Sequence, residues 1–163
     1  MRPALRRAAS WLAGTWAGLI AGVGFVAAPA LFATLPRGDA GRVAAQLFGL
    51  DATIGVCVGA VLLVLCLRLA RVDSASGVSS RFSTEMLLVL AAIACIVAGH
   101  YAIQPLIEAA RAGAGGPSFA VLHGVASGFF NLKFGVVAAL AWRLTGPPRS
   151  PAPDAATAAG PSS

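Results

Sequence analysis

Seven polar side chains lie in or beside stretches that are otherwise almost free of charge: Asp51, His100, Gln104, His123, Ser127, Asn131 and Lys133. Ionisable groups in such surroundings are costly and face a bundle interior or a water-filled cavity, which makes them functional candidates by default. His100 and Gln104 are four residues apart, and His123, Ser127 and Asn131 follow one another at four-residue steps, so each set lines one face of a helix. Three kinds of chemistry are open to such a set. It could bind a small solute or ion, and its imidazoles, which titrate near neutral pH, could exchange protons. His100 and His123 could ligate a haem b iron or, with Asp51 or Gln104, a divalent metal, with Gly99 and Gly124 clearing room for a ring. The plainest alternative is an interhelical hydrogen-bond network that only fixes packing.

Four apolar stretches must position these residues, at about 11–35, 47–68, 86–107 and 119–142. Each can supply the roughly 20 apolar positions that cross a hydrocarbon core of about 30 Å. The composition agrees, with 58% hydrophobic and 11% charged residues and a mean hydropathy of +0.81. Four such segments leave almost nothing for a polar exterior, which excludes a soluble core. The long unalternated runs exclude barrel strands. The fold class read from the sequence is therefore all-α: a polytopic membrane protein with a four-helix transmembrane bundle. The basic start MRPALRRA resembles a signal-peptide n-region, but the apolar run that follows is too long for a signal h-region, so it reads as a retained first helix.

Arginines near the helix ends give the orientation. Arg2, Arg6, Arg7, Arg68, Arg71, Arg81, Arg143 and Arg149 fall on one side, and Arg37, Arg42 and Arg111 on the other. The arginine-rich side is cytoplasmic by the positive-inside rule, so both termini are inside, and a bacterial inner (cell) membrane is the natural location. The formal charge of +6 is then a topology signal and a contact for anionic headgroups; nucleic acid is not an expected partner. Residues 1–10 read as a basic cytoplasmic N-terminus, 11–144 as the four-span membrane domain and 145–163 as a disordered cytoplasmic tail rich in Pro, Ala and Ser. Residues 37–48 read as a short interfacial helix, 71–84 as a polar loop in which Thr84 or Ser83 caps the third helix, and 111–118 as a flexible turn.

At 1.5 Å per residue, His100 lies about 10 Å, and His123 about 5 Å, below the outer ends of their helices. With Asp51 assigned to the outer start of the second span, polar groups from three helices converge in the outer half of the membrane. Lys133, about 20 Å along the fourth helix and far from Asn131 on the helical wheel, is open to an ion pair with Asp51 or to snorkelling toward the inner side, and depth favours snorkelling.

Small residues recur at four-residue steps as Ser10, Gly14, Gly18 and Gly22, as Gly55 and Gly59, and as Gly124 and Gly128. Such faces let helix backbones approach closely, within the bundle or across a homo-oligomer seam. Pro29 and Pro105 read as kinks that free backbone carbonyls. Cys57, Cys66 and Cys95 lie inside spans, at no metal or redox spacing, and read as small hydrophobes. No P-loop, dinucleotide fingerprint, HExxH or nucleophile elbow is present, and nothing calls for an enzyme.

The landmarks Gly22 to Phe32 (GVGFVAAPALF), Leu35 to Arg42 (LPRGDAGR), Gln46 to Phe48, His100 to Pro105 (HYAIQP) and Phe119 to His123 (FAVLH), with Ser127 and Asn131, resemble the small four-helix membrane domain called transmembrane protein 205-like. The resemblance covers about residues 10–144. It implies four spans and no particular reaction; the bacterial group is generally described as a domain of unknown function. Its eukaryotic relatives are associated with handling of a platinum drug, and the family is distantly similar to copper-resistance membrane proteins and to a haem-pathway membrane oxidase. The combined expectation is an integral membrane protein with a polar intramembrane site that handles a small solute or ion. The alternatives are a haem- or metal-binding redox component and an accessory subunit of a membrane complex.

Overall fold

The computed structural model describes residues 2–75, 83–113 and 116–146. The tail expected from residue 145 falls almost wholly outside these residues, as does half of the 71–84 loop, residues 76–82. Everything described is helix or short connection: α1 (Arg2–Ala21), a π-helical turn (Gly22–Ala27), α2 (Ala28–Thr34), α3 (Arg37–Ala75), α4 (Thr84–Ile96), a second π-helical turn (Val97–Ala102), α5 (Gln104–Arg111) and α6 (Phe119–Thr145). Four of the resulting rods, Pro3–Thr34, Arg37–Arg71, Thr84–Arg111 and Phe119–Thr145, are long and apolar enough to cross a membrane. The protein is an all-helical, multi-pass membrane protein.

Local sequence explains the ends. Ser83 caps α4, its hydroxyl accepting from the Met86 N–H at 3.3 Å, and Ser118 caps α6 by accepting from Val121 N–H at 3.4 Å. Gly113 and Gly116, at φ of 73° and 101°, turn the chain between α5 and α6 in a conformation that a side chain would strain. Pro29 and Pro105 each follow a π-helical turn within three residues. Proline lacks an N–H and crowds the carbonyl four residues earlier, and the wider π turn accommodates both defects without ending the rod.

The second rod differs from expectation. Residues 37–48 are not a separate interfacial helix: α3 runs unbroken from Arg37 to Ala75, taking in both that segment and the first residues of the expected 71–84 loop. Pro36 stands just before the helix, where its missing N–H is harmless, and Ala40 N–H bonds Pro36 O at 3.0 Å. Asp39 suits the positive end of the helix and binds Arg42 at 2.5 Å. No proline interrupts the chain from there to Ala75.

The rods form a square in which α1 and α4 each pack against both α3 and α6, while α3 and α6 face each other diagonally with no backbone contact among the described residues. The start of α1 and the end of α6 lie at one end of the bundle, and Leu35–Pro36 with the residues flanking α5 and α6, 112–113 and 116–118, lie at the other, called the loop end below. The half toward the termini is solid. Ala9, Ala13, Trp16 and Ile20 of α1, Leu62 and Cys66 of α3, Val89 and Ala92 of α4, and Val137 and Leu140 of α6 are buried there. Arg6 ties that end, donating at 3.0 Å to the Arg143 and Gly146 carbonyls, and Arg143 pairs with Glu85 at 3.2 Å.

The two halves of the chain share a plan. Each has a rod broken by a π turn with glycine as its third residue (Gly24, Gly99), then a proline, then a return helix carrying Phe-x-Leu before a charge: Phe48-Gly-Leu-Asp51 in α3 and Phe130-Asn-Leu-Lys133 in α6. The two glycines meet neighbouring rings. A Cβ on Gly24 would overlap the edge of Phe130, and one on Gly99 would come within 2.8 Å of the Phe129 Cβ. The π turns therefore hold α6 at closest approach beside the cavity described next.

The other glycine stripes correct the expectation of internal packing. Gly55 and Gly59 are buried against Ile96, Ile93 and Trp16, but a Cβ on Gly14, Gly18, Gly22, Gly124 or Gly128 would meet nothing within 4 Å. Those faces are turned to the surroundings of the bundle, and Ser10 is only half-buried.

Candidate polar cavity at the Asp51–Lys133 pair

Above the solid half, a cavity of about 150 Å³ opens between α3, the α4–α5 rod and α6. Its polar lining consists of Asp51, His100, Gln104, His123, Ser127 and Lys133, and its walls include Phe48, Ile96, Ile107, Phe129 and Phe130. No residue of α1 or α2 lines it. Measured along the helices from the loop end at 1.5 Å per residue, these groups descend in steps: His123 at about 6 Å, Gln104 at about 10 Å, Ser127 at about 12 Å, His100 at about 16 Å, and Asp51 and Lys133 together at about 21 Å.

The foot of this staircase is a buried ion pair. Lys133 Nζ donates to Asp51 Oδ2, with the two residues only 4% and 3% exposed. The Lys133 ammonium also sits 4.7 Å from the centre of the Phe130 ring, and Phe130 meets Phe48 edge to face at 5.2 Å. Thus the residues that correspond in the two halves, Asp51 with Lys133 and Phe48 with Phe130, touch across the middle of the square. The second carboxylate oxygen, Asp51 Oδ1, is buried without a hydrogen-bond partner.

Snorkelling of Lys133 is thereby corrected. Apolar content alone puts Asp51 at the start of its span, but α3 begins fourteen residues earlier, so the two charges share one depth. The signal was legible: Lys133, Val137, Leu140 and Leu144 are spaced four, three and four apart, and all are buried on the inner face of α6.

Asn131 leaves the expected polar stripe. It is exposed, and its amide donates to the Ser127 carbonyl of its own helix at 2.8 Å. Eight residues from His123, the drift of a 3.6-residue period has carried it off the cavity face. His123 itself is exposed at the upper edge of the lining, stacked on Phe119 at 5.5 Å, with the Arg111 guanidinium 5.0 Å above that ring. His100 lies deeper and half-buried, its imidazole at ordinary contact distance from where a Gly49 Cβ would stand and meeting Tyr101 edge to face at 5.1 Å. Pro29 is exposed on α2 away from the cavity, whereas Pro105 follows Gln104 on the lining rod. Phe129 and Phe130 line the cavity with no sequence signal pointing to them; Cys95, which reads as a small hydrophobe, and Phe48, which reads as part of the 37–48 segment, join them, and the pairing of Phe48 and Phe130 becomes visible once the Phe-x-Leu-charge segments are aligned.

Cofactor chemistry finds limited support in these residues. Among the described residues no three His, Cys, Asp or Glu side chains gather as a metal site. His100 and His123 stand at different depths, one packed beside Gly49 and one exposed, and about 150 Å³ suits a benzene-sized body rather than a porphyrin. The residues do not fit a haem held between the two imidazoles.

Comparison with known proteins yields one family. A domain of unknown function (DUF4149) matches residues 11–115, which takes in α2 to α5 and most of α1, and so Asp51, His100 and Gln104, and ends before α6. No curated protein and no solved structure matches the chain. With the match covering more than half its length, the chain belongs to the family of the DUF4149 domain.

Proposed function

We propose that this protein handles a small solute in the plane of the membrane, binding it in the cavity above the Asp51–Lys133 pair and admitting it from the loop end. The observation that carries the reading is the cavity itself, in which side chains from three rods, Asp51, Gln104, Ser127 and Lys133, converge against an apolar wall of Phe48, Phe129 and Phe130. The mixture of apolar wall and a few convergent polar groups is that of a small-molecule site. In this reading the loop end faces the outside of a bacterial inner membrane and both termini are cytoplasmic, as the arginine distribution favours. The resemblance to transmembrane protein 205-like domains is compatible with solute handling. A second copy of the chain would supply the further helices that alternating access calls for.

The test uses a protein in which Cys57, Cys66 and Cys95 are replaced by Ala and a single cysteine is introduced as Ser127→Cys. In sealed right-side-out vesicles, a membrane-impermeant methanethiosulfonate reagent added outside labels this cysteine faster than Asn131→Cys, one turn away on the exposed face. Equal rates, or labelling only from the cytoplasmic side, would remove the externally open cavity.

A further inference from the structure

We infer that two copies of this chain pair in the membrane along the outer face of α6, with Asn131 of each copy bonding Asn131 of the other across a twofold axis. The inference is independent of what the cavity binds.

Asn131 is the side chain that calls for a partner. It stands twelve residues after Phe119 and eleven before Trp142, at the middle of the fourth apolar stretch, and it is exposed. Its amide donates once, to the Ser127 carbonyl of its own helix, and its side-chain oxygen accepts from no described residue. Acyl chains offer nothing to that oxygen or to the second N–H. An unanswered polar group at the centre of the hydrocarbon is costly, and the cost is removed when another polar group meets it.

The face around Asn131 is shaped for a helix. Gly124, Gly128, Asn131, Gly135, Ala138 and Trp142 follow at steps of four, three, four, three and four, the heptad spacing of a left-handed helix pair. The same steps govern the opposite face, where Lys133, Val137, Leu140 and Leu144 are buried in the bundle. On the outer seam all but the half-buried Ala138 are exposed, Trp142 to 82%. A Cβ on any of its three glycines would meet nothing within 4 Å. Such small positions let two backbones approach until a polar side chain between them can bond across.

A second copy is the occupant because the seam answers itself. A carboxamide is donor and acceptor at once, so two of them bond reciprocally. Chains inserted the same way round, and related by an axis along the membrane normal, bring Asn131 to Asn131 at one depth; any other partner would need its own polar group at that level. The charge that α6 carries inside the apolar stretch, Lys133, lies on the opposite face, so no like charges meet. The open face of α1 at Gly14, Gly18 and Gly22 carries no amide.

Förster transfer between donor- and acceptor-labelled full-length chains, diluted through phosphatidylethanolamine and phosphatidylglycerol vesicles, measures the pairing. The wild type should dimerise, and Asn131→Leu should weaken the dimer about tenfold, the loss of two interhelical hydrogen bonds, while Asn131→Gln stays within about threefold. Gly128→Leu should weaken it at least as much by holding the backbones apart, and Gly18→Leu on α1 should not. These positions are exposed and make no contact that the single chain needs, and circular dichroism checks that each variant keeps its helices. With Cys57, Cys66 and Cys95 replaced by Ala, Gly128→Cys should cross-link between copies under mild oxidation and Gly18→Cys should not. A monomeric wild type in these vesicles would overturn the inference. So would an Asn131→Leu chain that pairs as tightly as the wild type, or cross-linking through Gly18→Cys in place of Gly128→Cys.

Discussion

Asp51 is the fourteenth residue after Arg37, the first of α3, and Lys133 is the fourteenth after Phe119, the first of α6. Both helices run from the loop end, so the two side chains arrive at one level and bond across a diagonal that the backbones themselves do not bridge. The pair also forms the floor of the cavity and the boundary of the solid half below it.

This geometry makes the two charges interdependent. Asp51→Leu or Lys133→Met alone strands a buried charge and should destabilise the protein by about 3–5 kcal/mol, whereas the double variant should recover most of that loss. Unfolding of the three variants in one detergent measures the coupling. A double variant as unstable as the worse single one would mean that the pair is not the interaction that matters.

Close contact at the π turn predicts a contrast between glycines. Gly99→Ala drives a methyl against the Phe129 Cβ, an atom fixed to its backbone, and should cost about 1–3 kcal/mol as overpacking. Gly18→Ala meets nothing and should be neutral or stabilising by up to about 1 kcal/mol, through helix propensity alone. Thermal unfolding midpoints of the two variants should move in opposite directions or differ by several degrees; equal shifts would contradict the packing.

At the terminal end, Arg6 satisfies carbonyls that the last turn of α6 leaves open. Arg6→Ala should cost roughly 1–2 kcal/mol, since these are charge-assisted bonds in a part-buried place. Its exposed neighbour gives the comparison: Arg7→Ala should stay within about 0.5 kcal/mol. Chemical denaturation of both variants in the same detergent decides between a clamp and a general charge effect.

Asn131 points away from the cavity and bonds its own helix. Asn131→Leu should therefore change the stability of the single chain by less than about 0.5 kcal/mol, as an exposed substitution away from the core does. Unfolding in detergent, dilute enough that the chain is monomeric, measures it, and a loss above about 1 kcal/mol would place the polar face of α6 elsewhere.

Much of this protein was legible without coordinates because lipid imposes strong rules on sequence. Long uncharged runs had to be helices, and their even number puts the start of α1 and the end of α6 at one end of the bundle. His100, Gln104, His123 and Ser127 were readable as one polar group because helical spacing and alternating direction bring them to the same half of the bundle. The position of Asp51 was not, because a helix start was assigned where the chain turns apolar; in fact α3 begins after Pro36, where backbone bonding becomes available. Which glycines pack inward could not be read either, since a four-residue step defines a face but not its neighbour, and only Gly55 and Gly59 of the three stripes meet another helix. The sequence by itself determined the solvent, the number of crossings and the polar residues that lipid would force inward, because each follows from local hydropathy and backbone hydrogen bonding. Tertiary structure alone decided that Asp51 and Lys133 meet, that Phe48 and Phe130 meet beside them, and that Asn131 does not join, because those outcomes depend on the rotation and depth of each helix against the others.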